Sequence, residues 1–289
     1  MNKTSPISQE LDAAYDQAKW APNMQEVIAR CSLLSDAARG AIGEPIRLSY
    51  GPANEEQLDF YAADRDQVPI VAFVHGGGWR GGTARDYAFP AEMLRAAGIN
   101  YAALDFSSVS ATNGDLTVLV NQVRRAVAWI WRNCSNLKAD ANRIIIVGHS
   151  SGAHLAASAL STRWSDYNIP GNPIRAGVLV SGIYDLGPLR QTSRGKDLRI
   201  DDHVERELSP LHQIASLDAP LLLTVGSKES PEFRRQAEDY TQAVTSSGKR
   251  ARFVIGENYN HFEILETLGS PYGLLGRGLL GVIKSESTL

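Results

Sequence analysis

From Val68 onward six apolar runs recur along the chain: PIVAFVH, INYAALDF, NRIIIVGH, IRAGVLVSG, APLLLTVG and RARFVIG. They are read as apolar along their length, not as the alternating pattern of a half-exposed strand. Strands built from them must therefore be buried on both faces, which happens when a parallel sheet is covered by helices on either side. The intervening stretches supply those helices: YAFPAEMLRAAG, DLTVLVNQVRRAVAWIWRN, SGAHLAASALSTR, PEFRRQAEDYTQAVTSSG and NHFEILETLG all have apolar residues at helical spacing. Strand and helix in alternation specify an α/β fold with a mostly parallel central sheet flanked by helices. One sheet drawing on so much of the chain implies a single domain over residues 1–289, with no linker or repeat dividing it.

Two segments stand outside this rhythm. Residues 1–40 carry two helical patterns, LDAAYDQAKW and MQEVIARCSLLSDAARG, the second ending at Gly40. They are followed by EPIRLSYG and EQLDFYAAD, an antiparallel pair turned at GPANE. Between two core strands, residues 186–216 form a charged excursion of weak periodicity. Excursions of that length serve as lids more often than as structureless loops, so the N-terminal helices and residues 186–216 are expected to form a small helical cap.

Charge narrows the class of partner. With 29 basic and 32 acidic residues the net charge is -3, and no like-charge block is present, so neither a nucleic-acid footprint nor a polybasic membrane contact is expected. The two cysteines form no metal or bridge motif and fit a reducing compartment. MNKTSPISQE lacks the apolar centre of a signal peptide, and no run approaches membrane-spanning length. A cytoplasmic protein is expected, with a small-molecule substrate, no metal, no cofactor and a homodimer as the default assembly.

Chemistry concentrates at IIIVGHSSGAH. Gly148-His149-Ser150-Ser151-Gly152 fits G-x-S-x-G only with Ser150 at its centre, since His149 and Ala153 flank Ser151. The pattern alone is weak, but here a buried strand leads directly into it and a helix directly out, the strand–turn–helix that exposes a nucleophile. A serine hydroxyl needs a base brought from elsewhere in the fold. His149, adjacent to the turn, is expected to point away, and His154 to pack beneath it against a carbonyl. His75 is read as shaping its loop, while nothing singles out His203 or His212. His261 follows the last apolar strand, where the chain order serine, acid, histidine puts the base. The strand before it runs into SKESPEF and offers Glu229 as the acid; Asp185 is the rival, and Asp239 reads as solvated.

Negative charge developing on a substrate oxygen requires backbone N–H groups already aimed at it. PIVAFVHGGGWRGG provides a glycine loop after a strand, naming Gly77 and Gly78, with Gly76 as a further candidate, and the N–H of Ser151 at a helix start completes the set. Trp79 reads equally as packing or as an apolar pocket wall. Tyr184, after the strand IRAGVLVSG, is a second pocket candidate.

Together these residues resemble the α/β-hydrolase superfamily, in the His-Gly-Gly-Gly branch similar to hormone-sensitive lipases. A closer resemblance is to the kynurenine formamidase (arylformamidase) group, carried by His75-Gly76-Gly77-Gly78-Trp79, by Gly148 to Leu155, by the acid followed by SPEF (Glu229 to Phe233), and by His261-Phe262-Glu263-Ile264. Two positions depart from that group: the acid is glutamate where aspartate is frequent, and position 78 is glycine where a bulkier aromatic is frequent. The resemblance implies a serine hydrolase that cleaves a small amide, an aryl formamide first, through an acyl-enzyme. Carboxylesters, carbamates and lactams are alternatives using the same residues, and a non-catalytic small-ligand receptor is the alternative of another class.

Overall fold

The computed structural model describes residues 6–285; the first five residues of the polar opening stretch, and of the N-terminal helical region, lie outside the described residues. Eight strands form one sheet: β1 (Ile46–Ser49), β2 (Gln57–Tyr61), β3 (Val68–Val74), β4 (Asn100–Leu104), β5 (Ala139–His149), β6 (Ile174–Val180), β7 (Leu221–Gly226) and β8 (Ala251–Gly256). Their spatial order is β1-β2-β4-β3-β5-β6-β7-β8. The first two pair antiparallel, Ile46 opposite Phe60, and β2 meets β4 antiparallel. All pairs from β4 through β3 to β8 are parallel, as the apolar runs predict.

Helices α1 (Pro6–Tyr15) and α2 (Met24–Ile42) precede the sheet, and α3 (Ala91–Ala96), α4 (Leu116–Asn133) and α5 (Ser151–Leu160) follow β3, β4 and β5 in turn. After β6 come three short helices, α6 (Leu186–Arg190), α7 (Ser193–Asp197) and α8 (Asp202–Leu208); α9 (Pro231–Ser246), α10 (Glu263–Glu266) and α11 (Leu274–Lys284) complete the chain. Alternate residues of β3 go to opposite layers. Ile70, Ala72 and Val74 join a core with α4, α5 and α9, whereas Val71 and Phe73 join one with α2, α3 and α11. This is the α/β-hydrolase architecture.

α4 shows how a layer is made. Asp115 caps it, accepting from the Thr117 N–H at 2.9 Å. Its buried Leu116, Val120, Val123, Val127 and Ile130 recur every three or four residues, forming one apolar stripe. Each such side chain contributes roughly 1.5–3 kcal/mol on burial. α11 was not legible as a helix, because Gly276, Gly278 and Gly281 lower its propensity. Packing of Leu275 and Leu279 against the sheet overrides that deficit. β8 departs from a strand buried on both faces: it lies at the sheet edge and is only partly covered. Among the described residues, no helix is long and apolar enough to cross a membrane.

Candidate active site

The spatial order of strands reverses around β3, so the loops leaving β3 and β5 open side by side at the carboxyl edge of the sheet, where crevices form in open α/β sheets. Ser150 stands on the turn between β5 and α5 at φ 54°, ψ −125°, a positive φ that costs a non-glycine residue energy. The flanking glycines permit this. A Cβ on Gly152 would stand 2.1 Å from the Val74 carbonyl oxygen, and one on Gly148 would stand 2.4 Å from that of Gly152. The turn is tight because backbones cross where side chains would be.

The structure brings His261 to this serine. Ser150 Oγ lies 2.9 Å from His261 Nε2, and His261 Nδ1 lies 2.7 Å from Glu229 Oε2. Glu229 is buried, and its other oxygen accepts from the Gly226 N–H at 2.7 Å and the Ser181 hydroxyl at 2.5 Å. A carboxylate can only accept, so Nδ1 carries the imidazole proton and Nε2 is free to accept from Ser150. Helix α9 holds the acid in place: Ser230 caps it, accepting from the Phe233 N–H at 3.3 Å, with Pro231 as its first residue. The rival carboxylates are engaged elsewhere. Asp185 caps α6 by accepting from the Gly187 N–H at 2.9 Å, and Asp239 pairs with Arg235 at 2.6 Å.

His149 differs from expectation. It does not point away from the site but packs against His261, ring centroids 4.8 Å apart, and its Nε2–H donates to the His261 carbonyl at 2.9 Å. Complete burial and the neighbouring His261 push its pKa down to about 3, so it is neutral. His154 lies under the turn as expected, donating from Nε2 to the Leu208 carbonyl at 2.8 Å. Burial lowers it to about 4, against the pull of that carbonyl. His75 shapes its loop through Nδ1, 2.7 Å from the Gly76 oxygen, and stacks on Phe106. His203 and His212 are exposed, away from the cavity described next.

A cavity of about 640 Å³ opens over Ser150 and His261, with Gly77 and Gly78 on its wall. Gly77 has φ 120° and its backbone folds onto Gly81, where a Cβ would stand 2.1 Å from a carbonyl oxygen. Outside helices and strands, no backbone hydrogen bond among the described residues uses the N–H of Gly77, Gly78 or Ser151. The far wall comes from the N-terminal helices, through Tyr15, Val27 and Cys31, and from Arg194 of α7.

Of the two pocket candidates, Tyr184 is corrected and Trp79 takes the packing role of its two readings. Trp79 is buried, but its φ of 61° turns it away from the cavity, and its Nε1–H donates to His154 Nδ1 at 3.3 Å. Tyr184 stacks on Tyr240, centroids 4.5 Å apart, within the core beneath α9. Neither lines the cavity. Sequence reasoning missed Ser181, whose signal was only a serine at a strand end before glycine. It also missed Phe233 and Phe262, whose rings flank His261 at 4.9 and 5.1 Å.

Comparison with known proteins agrees with this fold. The BD-FAE family matches residues 58–240. The kynurenine formamidase of Danio rerio is 33% identical over 95% of this chain and 96% of its own, and that of Salmo salar is 32% identical over 90% of each. Among solved structures, a protein from Silicibacter sp. TM1040 superposes with a TM-score of 0.82 at 25% identity, covering 96% of this chain and 99% of its own. An esterase from Pyrobaculum calidifontis gives 0.70 at 20% identity, covering 98% and 99%.

Proposed function

The chain belongs to the BD-FAE family and, within the α/β-hydrolases, to the kin of the kynurenine formamidases, and from that premise we propose a serine mechanism acting on small aryl formamides. The hydrolase is of formamidase or esterase type; the residue roles and the substrate are the proposal. One observation carries it: the unbroken relay from Glu229 through His261 to Ser150, at 2.7 and 2.9 Å, facing the cavity.

Ser150 Oγ attacks the formyl carbon as its proton passes to His261 Nε2. The carbonyl oxygen takes up the negative charge and is met by the N–H groups of Gly77, Gly78 and Ser151. Glu229 stabilises the imidazolium so formed. His261 then gives its proton to the departing nitrogen, leaving an arylamine and a formyl ester on Ser150. Water, deprotonated by the same imidazole, releases formate and restores the serine. No step needs a metal or cofactor. The same groups serve a carboxylester, and no observation favours a small-ligand receptor. Cys31 and Cys134, both free thiols, support a reducing, cytoplasmic setting; a homodimer is read out by sedimentation.

Comparing kcat/KM for N-formylkynurenine and p-nitrophenyl acetate tests the substrate. The formamide is expected to be the better one, and no detectable turnover of it sinks the substrate reading while leaving the esterase standing. A fluorophosphonate probe tests the mechanism: it labels the wild type and spares Ser150→Ala.

A further inference from the structure

The cavity over Ser150 contains a positive charge that no described residue meets with a hydrogen bond or ion pair. Of its two arginines, Arg80 is committed, donating from Nη2 to Asp197 at 2.6 Å. Arg194 is not. Among the described residues its guanidinium has no hydrogen bond and no ion pair, and what acts on it is burial and the charges of Arg80, Asp16 and Asp12. Its position is defined by Gly78, where a Cβ would find Arg194 Nη1 at 3.8 Å and nothing else within 4 Å. The guanidinium therefore stands beside the oxyanion loop, in the room a larger residue 78 would fill.

The nearby carboxylates leave that charge in place. Asp12 Oδ1 accepts from the Ser193 N–H and hydroxyl at 2.8 and 2.9 Å, and Asp86 accepts from the Thr83 hydroxyl at 2.7 Å. Asp16 lines the cavity but forms no ion pair with Arg194 among the described residues. Burial and the like charge of Arg80 both press the guanidinium toward its neutral form. A bound anion offsets both effects, and the planar fork of a guanidinium fits a carboxylate.

We propose that Arg194 is a specificity-determining residue that receives a carboxylate carried by the substrate. This rests on the formamide reading in one respect: a formyl group bears only hydrogen, so the carboxylate must sit on the amine half. The substrate class narrows to aryl formamides with an anionic arm on the leaving group. Formate leaves alone, and the arylamine keeps its contact with Arg194 until it dissociates.

The test compares kcat/KM for formanilides carrying a carboxylate at the ortho, meta or para position with that for the matching carboxamides. At least one carboxylate is expected to exceed its carboxamide by roughly tenfold to a hundredfold, the range for a charge-assisted hydrogen bond. That ratio falls toward one in Arg194→Gln and is partly kept in Arg194→Lys. A ratio near one throughout in the wild type, or one unmoved by Arg194→Gln, overturns the proposal. Calorimetric titration of aminobenzoates and aminobenzamides separates it from the formamide reading. If no formamide is turned over, tighter aminobenzoate binding that disappears in Arg194→Gln still supports it; equal or absent binding overturns it.

Discussion

The sheet edge and the cap meet at one cavity but are built from different materials. At the sheet edge, Ser150, His261 and Glu229 are held by buried contacts: backbones touching at Gly152, rings against His261, a carboxylate with every neighbour placed. The cap anchors Tyr15, Leu186, Leu189 and Leu198 in the core and adds polar bonds at its surface. Asn23 donates to Glu263 at 2.7 Å, Arg30 reaches Glu266, and Asp12 holds Ser193. Four large apolar residues of the cap, Trp20, Ile28, Leu33 and Leu34, remain exposed. If the relay carries the chemistry and Arg194 the selection, chemistry rests where backbones touch and selection where polar bonds join the elements, and the two should fail differently when changed.

The largest effect belongs to the relay. Ser150→Ala should lower kcat by about 10⁴ to 10⁶, roughly 5–8 kcal/mol of barrier, and Glu229→Gln by about 10⁴. Thermal midpoints should move by only a few degrees for Ser150→Ala, because alanine keeps the turn. A kcat drop below tenfold would show that another group attacks the substrate.

Next comes the turn itself. Gly152→Ala forces a methyl to within 2.1 and 2.3 Å of the Val74 and His75 oxygens, and rigid backbone cannot move aside. A loss of about 3 kcal/mol or more is expected, toward the upper end for overpacking, and is read from urea midpoints. Loss of activity without loss of stability would mean that the sheet edge is as yielding as the cap.

What could be read from sequence follows the same division. Apolar runs and glycines report buried backbone, so the strands, the elbow at Ser150 and the loop bearing His261 were legible, as was Glu229 from its place before Ser230-Pro231. The α11 helix was hidden by its glycines. Trp79 stayed open between two roles and Tyr184 was misplaced because their direction depends on backbone twist and on partners distant in sequence, His154 and Tyr240. Arg194 carried no sequence signal: one arginine in a charged stretch becomes notable only once every other cavity charge has a position.

A third effect comes from the buried histidines. Burial holds His154 neutral at about 4, while the unfolded chain protonates it near about 6.5. Above about pH 6.5 neither state binds the proton and stability is unaffected; below it, the unfolded state binds first and stability falls until the folded value is reached. Between pH 8 and pH 5 this one group removes about 2 kcal/mol. His154→Gln, whatever its baseline cost, should shrink the difference in unfolding free energy between those two pH values by that amount. His149 and His75, also depressed by burial, account for part of the remainder. An undiminished difference would show that His154 is hydrated in the folded state, and with it the packing beneath the elbow.

The smallest effect is at the cap, and it is the sharpest probe of the contrast. Asp197→Ala removes an exposed ion pair with Arg80, and such pairs are worth about 0–1 kcal/mol. Stability should hardly change. Yet Arg80 then loses its anion and joins Arg194 as a second free cation on the cavity wall. If the cap selects substrate by charge, KM for a carboxylate-bearing formamide should fall by severalfold at low salt while kcat stays level, and the gain should fade as salt screens it. The carboxamide substrate should show no such change. A shift in kcat common to both substrates would instead couple the cap to the relay, and would contradict the division of labour between a rigid sheet edge and a polar, adjustable lid.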